Sequence, residues 1–266
     1  MNKKIISVIN QKGGVGKTTT VINLAAALSQ KGKNILVIDL DPQGNATTGL
    51  GKSNNSEKEN IYNLLIGRSK LENVIQETNI GGVDLISSNV NLSGLEVETA
   101  NDSNRAFILR DLLGEKNKNL LSKYENIFID CPPSLSLLTI MSLVSAQQLL
   151  VPLQAEFFAL EGITQLIKTI DRIKINLNTE LEIRGILLTM FDKRNKLSSQ
   201  VDLEARNYFK DKVYKTVIPR NVRLSEAPSH GLPCVIYDKS CLGSKSYFSL
   251  AEEFLNQEKT NIDSAA

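Results

Sequence analysis

The chain contains no tryptophan, a single histidine and three cysteines in 266 residues. One histidine cannot form a histidine cluster, and the setting of His230 in "APSHGLP" makes it a turn residue. Cys131, Cys234 and Cys241 are odd in number and lack a CxxC pair, so they suggest neither a disulfide framework nor a zinc site. No run of about 18 or more apolar residues is present, which excludes an obvious membrane helix. The N-terminal "MNKK" leads straight into a strand pattern, unlike a signal peptide. These absences predict a soluble, cytoplasmic protein with no membrane contact. The net charge of +2 is too small by itself to announce a nucleic-acid partner.

With 41% hydrophobic residues the chain can bury a large core, and one α/β domain accounts for its length. Strand-like runs, "IISVIN", "NILVIDL", "VDLISS", "ENIFIDC", "QLLVPL", "EIRGILLTM" and "KVYKTVI", alternate with helical stretches at 17–31, 136–146, 160–175 and 199–210. That alternation predicts an α/β fold with a mostly parallel, twisted sheet flanked by helices. Residues 1–256 are expected to form a single domain and 257–266 a flexible tail. The polar stretch "GKSNNSEKEN" reads as a surface loop, and no internal repeat or interdomain linker is evident.

The segment "VINQKGGVGKTTTV" carries the strongest chemical signal. It follows a strand pattern and opens a helical one, as a phosphate-binding loop does. Its first position is Gln11 where the common pattern has glycine, and it holds two lysines, Lys12 and Lys17, where one would serve one phosphate tail. Gly13, Gly14 and Gly16 permit close approach of the backbone to an anion, with Val15 between them, and the helix beginning near Thr18 and Thr19 offers its positive end.

Two acidic sites complete a nucleotide chemistry. "NIFIDCPP" places Asp130 at a strand end, where it can hold Mg²⁺ directly or through water; a turn before Pro132 is the competing explanation, and the neighbouring loop favours the metal. "ILVIDLDPQGN" places Asp39 at a strand end with Asp41 two residues on. An i, i+2 pair on extended backbone points to one side, so both carboxylates are expected to face the loop. Asp41 also suits turn initiation before Pro42, and the two roles are compatible.

The blocks "KGGVGKTT", "DLDPQGNAT", "FIDCPPS" and "VIPRNVRLSEAPSHG" together resemble the ParA/Soj family of chromosome and plasmid partition ATPases. They are spread from residue 12 to residue 231, nearly the whole chain; the second and fourth are the more specific to partition proteins. The resemblance implies a P-loop fold of the deviant Walker A type, ATP and Mg²⁺ as cofactors, and a homodimer closed face to face over two nucleotides. It implies that Lys12 reaches the partner's nucleotide, that Lys17 holds the β/γ-phosphates, and that Thr18 binds Mg²⁺. It also implies Asp39 and Asp130 in the metal shell, Asp41 positioning the attacking water, and Pro219 and Asn221 near the adenine. A lysine arriving in trans would stabilise charge on the transferring phosphoryl group and tie hydrolysis to dimerisation.

Between Arg184 and Lys245 lie 12 Lys and Arg against 6 Asp and Glu. From charge alone a solvated face explains that excess. The family resemblance points instead to nonspecific double-stranded DNA, with Arg194, Arg223 and Arg220 as contacts, nucleoid association, and a ParB-type centromere-binding protein that triggers hydrolysis. Because the first strand pattern starts at about residue 4, no N-terminal operator-binding domain, and so no sequence-specific autorepression, is expected. Two alternatives remain: a membrane-cycling division-site ATPase, which needs a basic amphipathic C-terminal helix unlike "SLAEEFLNQEKTNIDSAA", and a DNA-binding scaffold without useful turnover. An iron-sulfur reductase lacks its paired cysteines here, and a metabolic amide synthase is expected to need additional sequence for its substrate pocket.

Overall fold

The computed structural model describes residues 4–53, 59–156 and 159–263. Seven strands form one sheet: β1 (Lys4–Val8), β2 (Ile35–Asp39), β3 (Ile75–Glu77), β4 (Val83–Ile86), β5 (Asn126–Asp130), β6 (Gln148–Gln154) and β7 (Glu182–Thr189). Their order is β3-β4-β2-β5-β1-β6-β7, and all pairings are parallel except β3 with β4. Because β1 is followed in sequence by a strand on one side of it and β6 lies on the other, the connections diverge at the ends of β1 and β5. That is where open α/β sheets bind ligands.

Alternation along the strands divides the core into two layers. Ile5, Leu36, Ile38, Ile127 and Leu149 face one side, with Met141, Leu166 and Val201 from α3 (Leu137–Ser145), α4 (Ala159–Asn176) and α5 (Lys196–Phe209). Among the helices that precede these in the chain are α1 (Lys17–Ser29) and α2 (Asn45–Gly49). Ile6, Val37, Phe128 and Leu150 face the other side, covered by Val21, Leu24 and Leu28 of α1 and by Tyr247, Leu250 and Phe254 of the last helix. Both faces of the sheet are thus buried, which accounts for strand runs that are apolar throughout.

The expected helices at 17–31, 136–146, 160–175 and 199–210 correspond to α1, α3, α4 and α5. The run "KVYKTVI" does not become a strand. It makes one isolated bridge, Val213 with Ile186, and the next residue, Pro219, makes another with Phe191. The N–H groups of Lys215 and Thr216 donate instead to the Glu253 carboxylate, at 2.6 and 2.9 Å, so a side chain of the last helix takes two donors that a ladder would need. The short edge strand β3 has no counterpart among the predicted runs. Part of the loop "GKSNNSEKEN" and the end of the tail lie outside the described residues. The last helix (Leu242–Asp263) extends into the segment expected to be a tail.

Gly185 shows how tightly the second layer is closed, since a Cβ added there would lie 2.4 Å from Tyr214 Cε2. Gly185→Ala is expected to lower stability by about 1–3 kcal/mol, read as a lower urea midpoint, because Tyr214 is buried and cannot swing to solvent. Gly162 in α4 meets nothing within 4 Å, so Gly162→Ala should raise the midpoint by reducing the helix-propensity penalty of about 1 kcal/mol. Equal effects at the two positions would contradict this packing.

Candidate active site

A cleft of about 570 Å³ opens above the C-terminal ends of the central strands. Its floor is the loop after β1: Gly13, Gly14, Gly16, Lys17, Thr18 and Thr19 all line it. Gly14 and Gly16 take φ of 75° and 89°, a left-handed backbone that glycine adopts without a steric penalty. α1 starts at Lys17 immediately after Gly16, so its unpaired N–H groups point into the cleft. Val15 is buried beneath the loop, where its carbonyl accepts the Thr189 hydroxyl at 2.8 Å. Thr189, at the end of β7, therefore ties the loop to a strand more than 170 positions away in sequence.

Lys17 is 7% exposed, and its Nζ donates to the Lys12 carbonyl at 3.1 Å. Burial pulls its pKa down from the ordinary lysine value, and the carboxylates of Asp130 and Asp41 oppose that shift. The Thr18 hydroxyl donates to Asp130 Oδ2 at 2.7 Å. Asp130 is fully buried and its Oδ1 has no hydrogen-bond partner. A buried carboxylate with one unsatisfied oxygen, bonded to the hydroxyl that leads the helix, fits the outer shell of a divalent cation.

Parallel pairing of β2 with β5 sets Asp39 directly beside Asp130 in the ladder. Both carboxyls are pushed up by burial; Asp39 reaches about 6, whereas for Asp130 the adjacent Asp39 charge adds to the upward shift. For a carboxyl raised on folding, the favourable contribution is present below the ordinary carboxylate range. It is lost as pH rises through about 6 for Asp39, so at neutral pH the pair works against the fold until a cation compensates it.

The expectation that Asp39 and Asp41 face the loop together divides here. Asp41 lines the cleft, with Oδ1 accepting the Gln43 N–H at 3.0 Å. Asp39 is turned toward α2: its Oδ2 accepts both the N–H and the hydroxyl of Thr47 at 2.7 Å, and its Oδ1 accepts the Asp41 N–H at 3.2 Å. Strand geometry ends at Asp39, so the i, i+2 rule no longer governs Asp41.

Lys12 stands at the rim. Its side chain is 53% exposed and its ammonium pairs with Glu156 of the same chain, a partner absent from the sequence motifs. The opposite wall comes from a helix not distinguished in the sequence, α6 (Val222–Glu226), and the turn after it, through Leu224, Ser225, Pro228 and Ser229. Asn221 caps α6, its Oδ1 accepting the Arg223 N–H at 2.9 Å, and Pro219 bridges to Phe191; neither side chain is among the groups lining the cleft. Met190, also in the wall, has φ of 51° without being glycine, a strain of about 1–2 kcal/mol at the site's edge.

The three arginines lie on neighbouring surface segments, two of them with acidic partners. Arg194 grips Asp192 through Nε and Nη2, both at 3.0 Å, and holds that carboxyl down at about 2. Arg223 donates to Glu226 at 2.6 Å and lies 3.6 Å from Asp238. Arg220 is exposed beside Pro219, its N–H donating to the Phe191 carbonyl at 3.2 Å.

Comparison with known proteins agrees with this geometry. A family model described as an AAA domain matches residues 3–183. The chain is 47% identical over 263 residues to the chromosome partitioning protein ParA of Caulobacter vibrioides, covering 99% of this chain and 98% of that one. It is 47% identical to the sporulation initiation inhibitor protein Soj of Bacillus subtilis, covering 94% and 97%. Among solved structures, cobyrinic acid a,c-diamide synthase of Mycobacterium smegmatis with a bound ATP analogue and magnesium superposes with a TM-score of 0.86 at 30% identity, covering 98% and 97%. A putative plasmid partition protein of Borrelia burgdorferi bound to AMPPNP gives 0.78 at 28% identity, covering 97% and 100%. The synthase is as long as this chain, so length does not separate the two activities as the sequence suggested; the higher identity to partition proteins does.

The clamp from Thr189 to Val15 generates a direct test. Thr189→Val keeps the shape but leaves the buried Val15 carbonyl unpaired, at about 1–3 kcal/mol. Nucleotide affinity, measured by titration with a fluorescent ATP analogue, should fall about tenfold or more if the loop loosens. Unchanged affinity and stability would show that the loop holds its shape without Thr189.

Proposed function

The chain belongs to the ParA/Soj family of partition ATPases, and from that premise we propose that it is an ATP-driven switch whose dimer binds DNA without reading sequence and lets go on hydrolysis. The activity is ATP hydrolysis with Mg²⁺. A bound Mg²⁺ would supply positive charge against the charge developing on the phosphates. Thr18 and the buried Asp130 would hold it, with Asp39 behind them, and Lys17 and the loop N–H groups orient the phosphate tail. Asp41, at the cleft surface, orients water for attack. Leu224, Ser225, Pro228 and Ser229, placed by Pro219 and Asn221 before them, line the side of the cleft available to the base.

The observation that carries the dimer is the position of Lys12. It belongs to the phosphate loop yet stands half exposed on Glu156 and is not among the residues that line the cleft. A second chain closing face to face gives that lysine a phosphate to neutralise in place of a carboxylate. Exposed ion pairs contribute about 0–1 kcal/mol, so exchanging Glu156 for a nucleotide is cheap. The same exchange applies to Arg194 and Arg223, whose partners are surface carboxylates that DNA phosphates can replace. Pairing two chains doubles the number of phosphates neutralised and steepens the salt dependence. A centromere-bound protein of ParB type then stimulates hydrolysis and releases the dimer from the nucleoid locally.

A membrane-cycling role is less well supported. No described helix is long and apolar enough to cross a membrane, and Tyr247, Leu250 and Phe254 of the last helix are buried against α1.

Lys12→Ala should leave nucleotide affinity near wild type while abolishing ATP-dependent dimerisation in sedimentation velocity. Arg194→Glu and Arg223→Glu should each dimerise with ATP yet lose about tenfold or more in affinity for nonspecific duplex at physiological salt. DNA binding by wild type that is equal with ADP and ATP would remove the switch.

A further inference from the structure

The three cysteines, unremarkable in sequence, do not stay scattered. Cys234 Sγ and Cys241 Sγ lie 3.4 Å apart, closer than two sulfurs at ordinary van der Waals contact. Cys234 is buried at the start of a short helix (Cys234–Tyr237), and Cys241, partly exposed, immediately precedes the last helix. Ser244, fully buried, holds the pair together: its hydroxyl lies 3.4 Å from each sulfur, and its N–H donates to Cys241 Sγ at 3.4 Å. The turn between them is braced by Asp238, whose Oδ1 accepts the N–H groups of Ser240 and Cys241 and the Ser240 hydroxyl. Six residues separate the two cysteines, a spacing outside the usual paired-cysteine patterns.

We propose that Cys234 and Cys241 form a reversible dithiol–disulfide couple that responds to hydroperoxides and fixes the segment between the nucleotide-binding wall and the last helix. The oxidant is a hydroperoxide, ROOH. Cys241, the less buried of the two residues, attacks as thiolate; the O–O bond breaks, an S–OH bond forms, and ROH leaves with a proton. Cys234 then attacks that sulfur, the S–S bond forms, and hydroxide leaves with the Cys234 proton as water. Two thiols and one hydroperoxide give one disulfide, ROH and water, with two electrons passing from sulfur to peroxide. Burial pushes the Cys234 thiol up to about 12, which keeps it protonated until the neighbouring sulfur is activated and assigns the first attack to Cys241.

The bridge would act on a segment already wired to the site. Val235 donates its N–H to Asn23 of α1 at 3.1 Å, the Tyr237 hydroxyl donates to Glu226 at 3.0 Å, and Asp238 faces Arg223. Glu226 and Arg223 belong to α6, which forms the cleft wall. Cys131 is an internal control: it is buried, bonded to Ser7 and Ser142, pushed up to about 11 by burial, and has no cysteine partner.

The test treats folded protein with hydrogen peroxide, blocks remaining thiols with iodoacetamide after unfolding, and maps tryptic peptides. Trypsin cuts after Lys239, between the two cysteines, so a bridge is read as peptide 224–239 joined to peptide 240–245. That joined species should form in wild type, vanish with dithiothreitol, and be absent in Cys234→Ser, where dimedone should trap Cys241 as a sulfenic acid. The oxidised wild type should also melt at a higher temperature than the reduced form, a difference Cys241→Ser should lack. Three alkylatable thiols after peroxide, a dimedone adduct accumulating on Cys241 in wild type, or a bridged protein with an unchanged or lower melting temperature would each overturn the proposal.

Discussion

Two carboxylates placed side by side in a buried parallel ladder set the terms for everything around them. Asp39 and Asp130 end adjacent strands with no solvent to screen them. Charges so placed are tolerated only with compensation. The protein supplies part of it: Thr47 donates twice to Asp39, Thr18 donates once to Asp130, and Lys17 is drawn into the same buried space. What remains, the unsatisfied Asp130 Oδ1 and two raised carboxyls, is a standing demand for a cation brought by a nucleotide. In the function proposed above, a cation compensating this pair would link binding energy to folding energy at this point.

The second consequence concerns lysines. Lys17 is committed to the interior, lining the cleft with its ammonium held at the Lys12 carbonyl. Lys12 has no such place and rests on Glu156. One short loop thus holds one lysine in the cleft and one outside it, and in the function proposed above the outer one serves a second chain. The arginine pairs extend the same logic to the surface: Asp192 and Glu226 occupy positive charge that a polyanion can claim at little cost.

Much of this was legible in the residues. Six of the seven strands, the loop and the carboxylates announced themselves because each is local: an apolar run, glycines next to a helix start, an acid at a strand end. The three-residue edge strand β3 is too short to carry such a pattern, and the other missed features were long-range. Thr189 meets Val15, Glu253 caps Lys215 and Thr216, Glu156 meets Lys12, and none of these pairs has a sequence pattern. "KVYKTVI" has strand composition, but the Glu253 carboxylate outcompetes the ladder, a tertiary override of local preference. Asp39 and Asp41 parted because the strand ended between them, where the two-residue period loses its meaning. Thr47 did carry a signal, lying inside the "DLDPQGNAT" block, but its bond to Asp39 needed the fold to reveal it.

The dependence of turnover on protein concentration tests most directly whether one chain holds an incomplete site. If Lys12 acts on a neighbour, ATP hydrolysed per chain must rise as the protein is concentrated through its dimerisation range and then level off, at saturating ATP and Mg²⁺ throughout. Turnover per chain that stays constant on dilution to concentrations at which sedimentation finds only monomers would contradict a site completed by a second chain.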